Sequence, residues 1–450
     1  MSSERHSREL FKELLKAYYE NVLDEKIEDM LLDEGLDKIS FSKMISALCG
    51  VEVDYSENFS KDVKKAIENY KKSNQVVIST HSCVKNCIQI DGKTICQNAC
   101  PFDAIIIEDE ESTKKINVDQ CVGCGICIES CENQNFIDKI EFLPLVETLK
   151  SNKKVIAAVA PAIVGQFGED ISLGQLRAAF KQMGFADMVE VAFFADMLTI
   201  KEAVEFNALV LQEKDFMLSS CCCPIWVGMI KGRFDTLVKH TSPSISPMIA
   251  AGKVMKKLDS ECKVVFIGPC VAKKAESKIE DLKDAIDYVL TFTELKDIFD
   301  VLQINLEELP EILSPQYTSK GGRIYGKTGG VSLAVEDAVR TMFPDKSKVF
   351  KSTQADGVKE CKIMLENALN GKIQGNFLEG MGCEGGCVGG PKKIISKESG
   401  KEMVRKFGEE SKIKISTKNK IMSEFLQRLN IKDLEDFHDK EKIALFERKF

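Results

Sequence analysis

The sequence predicts an α/β domain of βα units with mostly parallel sheets, preceded by a small α+β domain rich in cysteine and by an N-terminal helical segment. Three observations carry this expectation. From Lys153 onward, short apolar runs (Val155–Val159, then 189–194, 216–218, 264–267 and 288–292) alternate with amphipathic stretches, the pattern of strands linked by helices. Eight of the 17 cysteines fall between Cys83 and Cys131, among turn residues and short apolar runs. Before them, Leu10, Phe11, Leu14, Leu15, Tyr18, Val22 and Leu23 recur at helical spacing among charges.

In chain order the expected divisions are a helical segment over 1–78, the cysteine-rich domain over 79–145 and the α/β domain over 146–450. The last closes on a tail from Lys401 with Phe425, Leu426, Leu429, Leu434 and Phe437 at helical intervals. The 328–331 stretch, Thr-Gly-Gly-Val, is a glycine turn leading into a helix. It lacks the spacing of a dinucleotide fingerprint. With 62 Lys+Arg against 70 Asp+Glu the net charge is −8 and the signs are interleaved, which argues against nucleic-acid and polybasic membrane partners. The longest nearly pure apolar run, 155–164, contains a proline and is too short to span a bilayer, which takes about 20 residues. The polar N-terminus has no apolar signal core, so a cytoplasmic location is expected.

Thiols stay reduced in that compartment, so the clustered cysteines predict metal ligation rather than disulfides. Histidine stands only at His6, His81, His240 and His438, too scattered for a histidine-based site. Cys121, Cys124, Cys127 and Cys131 follow C-x2-C-x2-C-x3-C, and Cys83, Cys87, Cys96 and Cys100 end in C-x3-C-Pro. In such paired runs the fourth cysteine of each ligates the other cluster. The spacing therefore assigns Cys83, Cys87, Cys96 and Cys131 to one 4Fe-4S cluster, and Cys121, Cys124, Cys127 and Cys100 to a second. Two structural zinc sites are the alternative, and they more often show paired C-x2-C knuckles. Glu132 stands where the second run often has proline.

Three further segments carry thiols: Ser219-Ser220-Cys221-Cys222-Cys223-Pro224-Ile225-Trp226, Gly268-Pro269-Cys270-Val271-Ala272-Lys273-Lys274-Ala275-Glu276, and Glu379-Gly380-Met381-Gly382-Cys383-Glu384-Gly385-Gly386-Cys387-Val388-Gly389-Gly390-Pro391. In this order, behind a ferredoxin-like segment, they resemble the three signature motifs of the [FeFe] hydrogenases, in a branch with a triple-cysteine first motif. The resemblance covers roughly residues 80 to 440. It implies that Cys223, Cys270, Cys383 and Cys387 hold the 4Fe-4S half of an H-cluster, with Cys387 bridging to a 2Fe unit bearing CO, cyanide and a bridging azadithiolate. It further implies that Lys273 donates to one cyanide, that the Ala160-Pro161-Ala162 turn offers backbone to the other, and that Met381 and Pro269 line the pocket. Met248 stands where many members have glutamine, and Gly268 where they have methionine, which changes the polarity and room of that pocket.

For protons, the resemblance implies Cys222 as the thiol facing the bridging amine, with Glu202, Glu205 and Ser242 behind it. Cys221 is the extra residue, expected to point away from that path if the segment is extended. The implied activity is the interconversion of 2H+ and 2e− with H2, catalysed by a ferredoxin-linked enzyme whose 2Fe unit comes from separate maturation proteins. A hydrogen sensor of low turnover and a non-catalytic cluster assembly or carrier protein are the alternatives.

Overall fold

The computed structural model describes residues 3–33, 37–80, 87, 89, 92–108, 113–131, 135–151 and 153–450, and the chain divides by contact into two units. The first comprises Met1–Lys154, Val271–Ile279 and Tyr288–Asn305, the second Val155–Cys270, Glu280–Asp287 and Leu306–Phe450.

In the first unit, the helix Ser3–Tyr19 buries Leu10, Phe11, Leu14 and Leu15 on one stripe, as their spacing requires. Its Arg8 forks onto Asp297 at 2.8 and 2.6 Å. The helix Lys38–Leu48 starts where the Asp37 carboxylate accepts the Ile39 and Ser40 N–H groups. Four short strands follow: β1 (Val77–Ser79), β2 (Ile105–Glu108), β3 (Thr113–Ile116) and β4 (Phe136–Asp138). β1 pairs antiparallel with β4, and β2 with β3. Val76, Val77, Cys96, Ile105, Phe136 and Val271 form the core between them, with Cys100, Cys127 and Cys131 against it. Lys274 is buried in the same unit, with Asp138 at 2.7 Å, Glu294 at 2.5 Å and the Lys139 carbonyl at 2.6 Å. Burial alone would lower its pKa, but Asp138 and Glu294 outweigh that and raise it.

The second unit is parallel α/β, as the alternation predicts. β5 (Val155–Val159) lies between β6 (Asp187–Glu190) and β8 (Lys263–Gly268), parallel to both, with Ile156 opposite Asp187 and Val264. All five residues of β5 are buried, which is why it reads as a continuous apolar run instead of an alternation. After β9 (Tyr288–Thr291), a first-unit strand, come β10 (Ser352–Asp356) and β11 (Phe377–Met381). β11 pairs in parallel with β10 on one side and with β7 (Met217–Leu218) on the other.

Residues 191–194 are not strand. They open the helix Val191–Leu209, which is buried over most of its circumference, so its apolar start shows no amphipathic period. β10, Ser-Thr-Gln-Ala-Asp, was invisible as a strand because it stands at one end of its sheet, where polar side chains meet solvent. No helix among the described residues is long and apolar enough to cross a membrane.

Candidate metal centre

Parallel strands bring their carboxyl ends to one edge, where ligands of α/β sheets sit. β7 runs into Cys221–Cys223, β11 into Cys383–Cys387, β8 into Pro269–Cys270 and β5 into Ala160–Ala162. Cys223 caps the helix Pro224–Arg233, and its sulfur accepts the Gly382 N–H at 3.2 Å. Burial pushes the Cys223 thiol up, while the N–H groups of Gly382, Trp226 and Ile225 favour the thiolate and the Cys387 sulfur opposes it. Cys383 and Cys387 are half-buried in a turn in which Gly386 N–H reaches the Cys383 carbonyl at 3.0 Å and Gly390 N–H the Cys387 carbonyl at 2.9 Å. Gly385 and Gly386 both have φ of 86°, and a Gly386 Cβ would lie 2.6 Å from the Thr328 nitrogen, so neither position admits a side chain without strain.

Cys270 is half-buried beyond β8. The preceding Pro269 carbonyl accepts Lys392 N–H at 3.1 Å and lies 2.6 Å from where a Gly390 Cβ would stand. Among the described residues, no three His, Cys, Asp or Glu converge closely enough to share one metal ion. A cubane asks for something else. Each thiolate takes its own iron corner, so the ligands surround a volume instead of meeting at a point. Four soft thiols from three loops, with N–H groups directed at Cys223, fit an iron–sulfur cubane by their chemistry.

The other expected pocket residues are Ala160 and Ala162, both buried, with Pro161 half-buried at the start of the 3₁₀ turn Pro161–Ile163. Met381, at the end of β11, and Met248, in the first turn of the helix Pro247–Leu258, are each 1% exposed. Lys273, in the first unit, is buried, and its ammonium meets Glu276 at 2.6 Å. Sequence reasoning gave Glu276 no role. Its place three residues on, in the same helical turn, was the signal.

In the cysteine-rich segment Cys83 lies outside the described residues, and Cys87 is half-buried. Cys100, Cys121 and Cys124 all act electrostatically on Cys127, and so does Cys96. Burial, countered in part by the Ile126 N–H, pushes the Cys124 thiol up to about 12. Ala104 N–H faces the Cys100 sulfur and Asn135 N–H the Cys131 sulfur, both at 3.4 Å, and the Thr94 hydroxyl lies 3.2 Å from Cys96. Gly123 (φ 66°) sits so close to Ala275 that a Cβ there would be 3.1 Å from the alanine methyl.

Behind Cys223 lies a buried polar chain. Glu202 is fully buried and accepts the Ser219 hydroxyl at 2.8 Å and the Ser220 and Cys221 N–H groups at 3.2 Å each. Burial, reinforced by Glu205, raises its carboxyl to about 7 against those hydrogen bonds. Glu205 accepts the Ser242 hydroxyl at 2.6 Å and pairs with Lys201, which also meets Glu447 at 3.3 Å. Cys222 is half-buried. Cys221 does not point away from the carboxylates as expected. It is fully buried, its sulfur 3.6 Å from the Ser219 hydroxyl and 3.8 Å from that of Tyr325. The segment is a bend, so the strand rule for alternating side chains does not apply. Ser219 stands in the first motif without a role of its own being expected for it, and Tyr325 and Glu447 were missed because nothing local in the sequence marks them.

Residues 153–391 match the family "Iron only hydrogenase large subunit, C-terminal domain". The chain belongs to this family. It is 29% identical to the periplasmic [Fe] hydrogenase large subunit of Nitratidesulfovibrio vulgaris, over 67% of this chain and 85% of that one. It is 27% identical to the NADP-reducing hydrogenase subunit HndD of Solidesulfovibrio fructosivorans, over 60% of this chain and only 55% of HndD, so it spans about half of that relative. The nuclear prelamin A recognition factor of Xenopus laevis is 22% identical over 65% of this chain and 80% of its own length. A solved [FeFe]-hydrogenase structure shares the fold with a TM-score of 0.58 at 19% identity, covering 68% of this chain and 97% of that one. Family membership implies iron–sulfur clusters.

Proposed function

We propose that this hydrogenase-family chain is an enzyme that interconverts 2H+ and 2e− with H2. Cys223, Cys270, Cys383 and Cys387 would hold the cubane of the H-cluster, and Cys387 would also help hold its 2Fe unit. When bound, that unit supplies the open metal site and the bridging amine at which H2 is made or split. Lys273 and the Ala160–Ala162 backbone would donate to its two cyanides, and Met381, Met248 and Pro269 would line its pocket.

Electrons come from ferredoxin or a similar soluble carrier through two 4Fe-4S clusters in segment 79–145. Cys83, Cys87, Cys96 and Cys131 ligate one, and Cys100, Cys121, Cys124 and Cys127 the other. Cys222 would be the thiol that exchanges a proton with the cofactor's amine, and Glu202, Glu205 and Ser242 would supply it. The protein is cytoplasmic and receives its 2Fe unit from maturation proteins.

The observation that carries catalysis over cluster storage is the buried carboxylate chain. Glu202, raised to about 7, can gain and lose a proton near neutral pH. From Glu205, Lys201 continues to Glu447, whose side chain is 27% exposed. A cluster carrier has no use for a buried proton path. The competing reading, a non-catalytic assembly protein, draws on the similarity to a cytosolic Fe-S cluster assembly factor, the NAR1 homolog of Schizosaccharomyces japonicus, 21% identical over 45% of this chain. Infrared spectroscopy of the protein co-produced with maturation proteins separates the two. CO and cyanide bands together with H2 evolution are expected, and their absence after complete maturation would establish the carrier.

A further inference from the structure

We propose that the Met381–Gly382 peptide is a polarised hydrogen-bond donor to the Cys223 sulfur, and that Cys361 is the positioning residue that sets its strength. The proposal rests on the reading of Cys223 as a cubane ligand.

The peptide is held at both of its polar ends. Its N–H, on Gly382, donates to Cys223 Sγ at 3.2 Å. Its carbonyl, on Met381, accepts the Gly357 N–H at 2.9 Å and the Cys361 thiol at 3.3 Å. Cys361 Sγ also lies 3.6 Å from the Ala355 carbonyl. A thiol has one proton, and the nearer acceptor takes the larger share. Cys361 is 0% and Met381 1% exposed, so water does not compete for either group.

The peptide is also wedged in place. Ile225 stands 2.6 Å from where a Gly382 Cβ would be, and the Trp226 ring 2.2 Å from that of Gly380. Trp226 is itself anchored by its indole N–H on the Ser219 carbonyl at 2.7 Å. Cys361 sits in the first turns of the helix Val358–Leu369, which fixes its approach to the carbonyl.

An amide whose carbonyl accepts a hydrogen bond becomes a better N–H donor, most of all in a dry interior. Hydrogen bonds to cluster sulfurs tune the reduction potential, because they stabilise the more negative, reduced state. Cys361 thus acts on the cubane's electron affinity through one peptide bond, in addition to lying within electrostatic range of the Cys223 sulfur. A merely structural cysteine would leave that potential unmoved.

The test uses the full chain produced without maturation proteins, so that cubanes alone are present, and a potentiometric titration followed by electron paramagnetic resonance. Cys270→Ala identifies the signal of the Cys223 cubane by its loss. Cys361→Val fills the space without a donor, and Cys361→Ser keeps one. The midpoint of that signal is expected to fall in Cys361→Val, so that at the wild-type midpoint the reduced fraction drops several-fold. In Cys361→Ser it stays near the wild-type value, and the other cubane signals do not move. An unchanged midpoint in Cys361→Val, or equal shifts in both variants, overturns the proposal.

Should Cys361→Val lose the cubane, infrared difference spectra of the unaltered chain decide. The Cys361 S–H stretch, identified by its loss in Cys361→Ser, shifts when the cubane is reduced, and a band that stays fixed overturns the proposal. A wild-type chain with no signal sensitive to Cys270→Ala removes the cubane reading and this proposal together, a result distinct from a cubane whose potential does not respond.

Discussion

Lys201 and Glu205 stand one turn apart on the helix Val191–Leu209 and form a part-buried ion pair, Lys201 being 1% and Glu205 15% exposed. The ammonium also meets Glu447 at 3.3 Å and the Ser244 hydroxyl at 3.2 Å. The backbone around Glu447 is tied down as well, with Arg448 Nε on the Ser244 carbonyl at 2.9 Å and Ile245 N–H on the Phe446 carbonyl at 2.9 Å. One lysine therefore couples the inner carboxylates to the C-terminal segment.

Lys201→Met leaves Glu205 with a charge and no cation. Breaking a buried pair from one side costs on the order of 3 kcal/mol. Chemical denaturation is expected to show a loss of that size, and H2 evolution in the matured variant to fall more than the loss of folded protein explains. Wild-type stability in this variant would mean that the pair is effectively solvated.

Glu202→Gln tests the buried proton. The folded chain keeps the Glu202 proton up to about 7, whereas a solvated glutamate loses it near 4.5. Stability from this group is therefore full below about 4.5 and is lost as pH rises to about 7, roughly 3 kcal/mol in all. Glutamine stays neutral throughout, and its Oε1 can still accept the two N–H groups while its amide faces Ser219. Measured by urea unfolding, the variant should gain on wild type across that window and then level off. A difference that does not vary with pH refutes the assignment.

Cys222→Ser is expected to keep the infrared bands of the matured H-cluster while turnover falls by about 10²-fold or more, the scale of a lost general acid–base group. Cys221→Ser, which keeps a hydroxyl within reach of Ser219 and Tyr325, should lower turnover only modestly. If the two variants exchange these behaviours, the proton passes through Cys221.

Gly380→Ala places a methyl 2.2 Å from the Trp226 ring, in a strand whose five residues are all buried. Overpacking of this kind costs about 1–3 kcal/mol or more. The expected result is lower thermal stability and loss of iron from the Cys223 cubane, with the iron of the cysteine-rich segment retained. Full iron content in this variant would show that Trp226 can move aside.

The sequence alone carried a good deal of this protein. The buried strands β5 and β8 showed as apolar runs because both faces are covered, and the ligand candidates stood out as cysteines clustered at iron–sulfur spacing. The three motifs could be ordered but not assembled.

The Lys392 N–H on the Pro269 carbonyl ties the second motif to the third, and the parallel pairing of β7 with β11 brings the first and third together. That pairing turns loops as distant as Cys223 and Gly382 into hydrogen-bonded neighbours. The tertiary structure also decided that Val271–Ile279, which follows Cys270 directly, folds with the cysteine-rich unit. It decided as well that Cys221 faces Tyr325, that Lys201 reaches Glu447 and that Cys361 reaches Met381. Each of these is a contact between residues with no periodic or spacing relation. Local propensity and pattern are properties of neighbours along the chain, whereas burial, pKa and hydrogen-bond partnership belong to neighbours in space, which the pairing of strands selects.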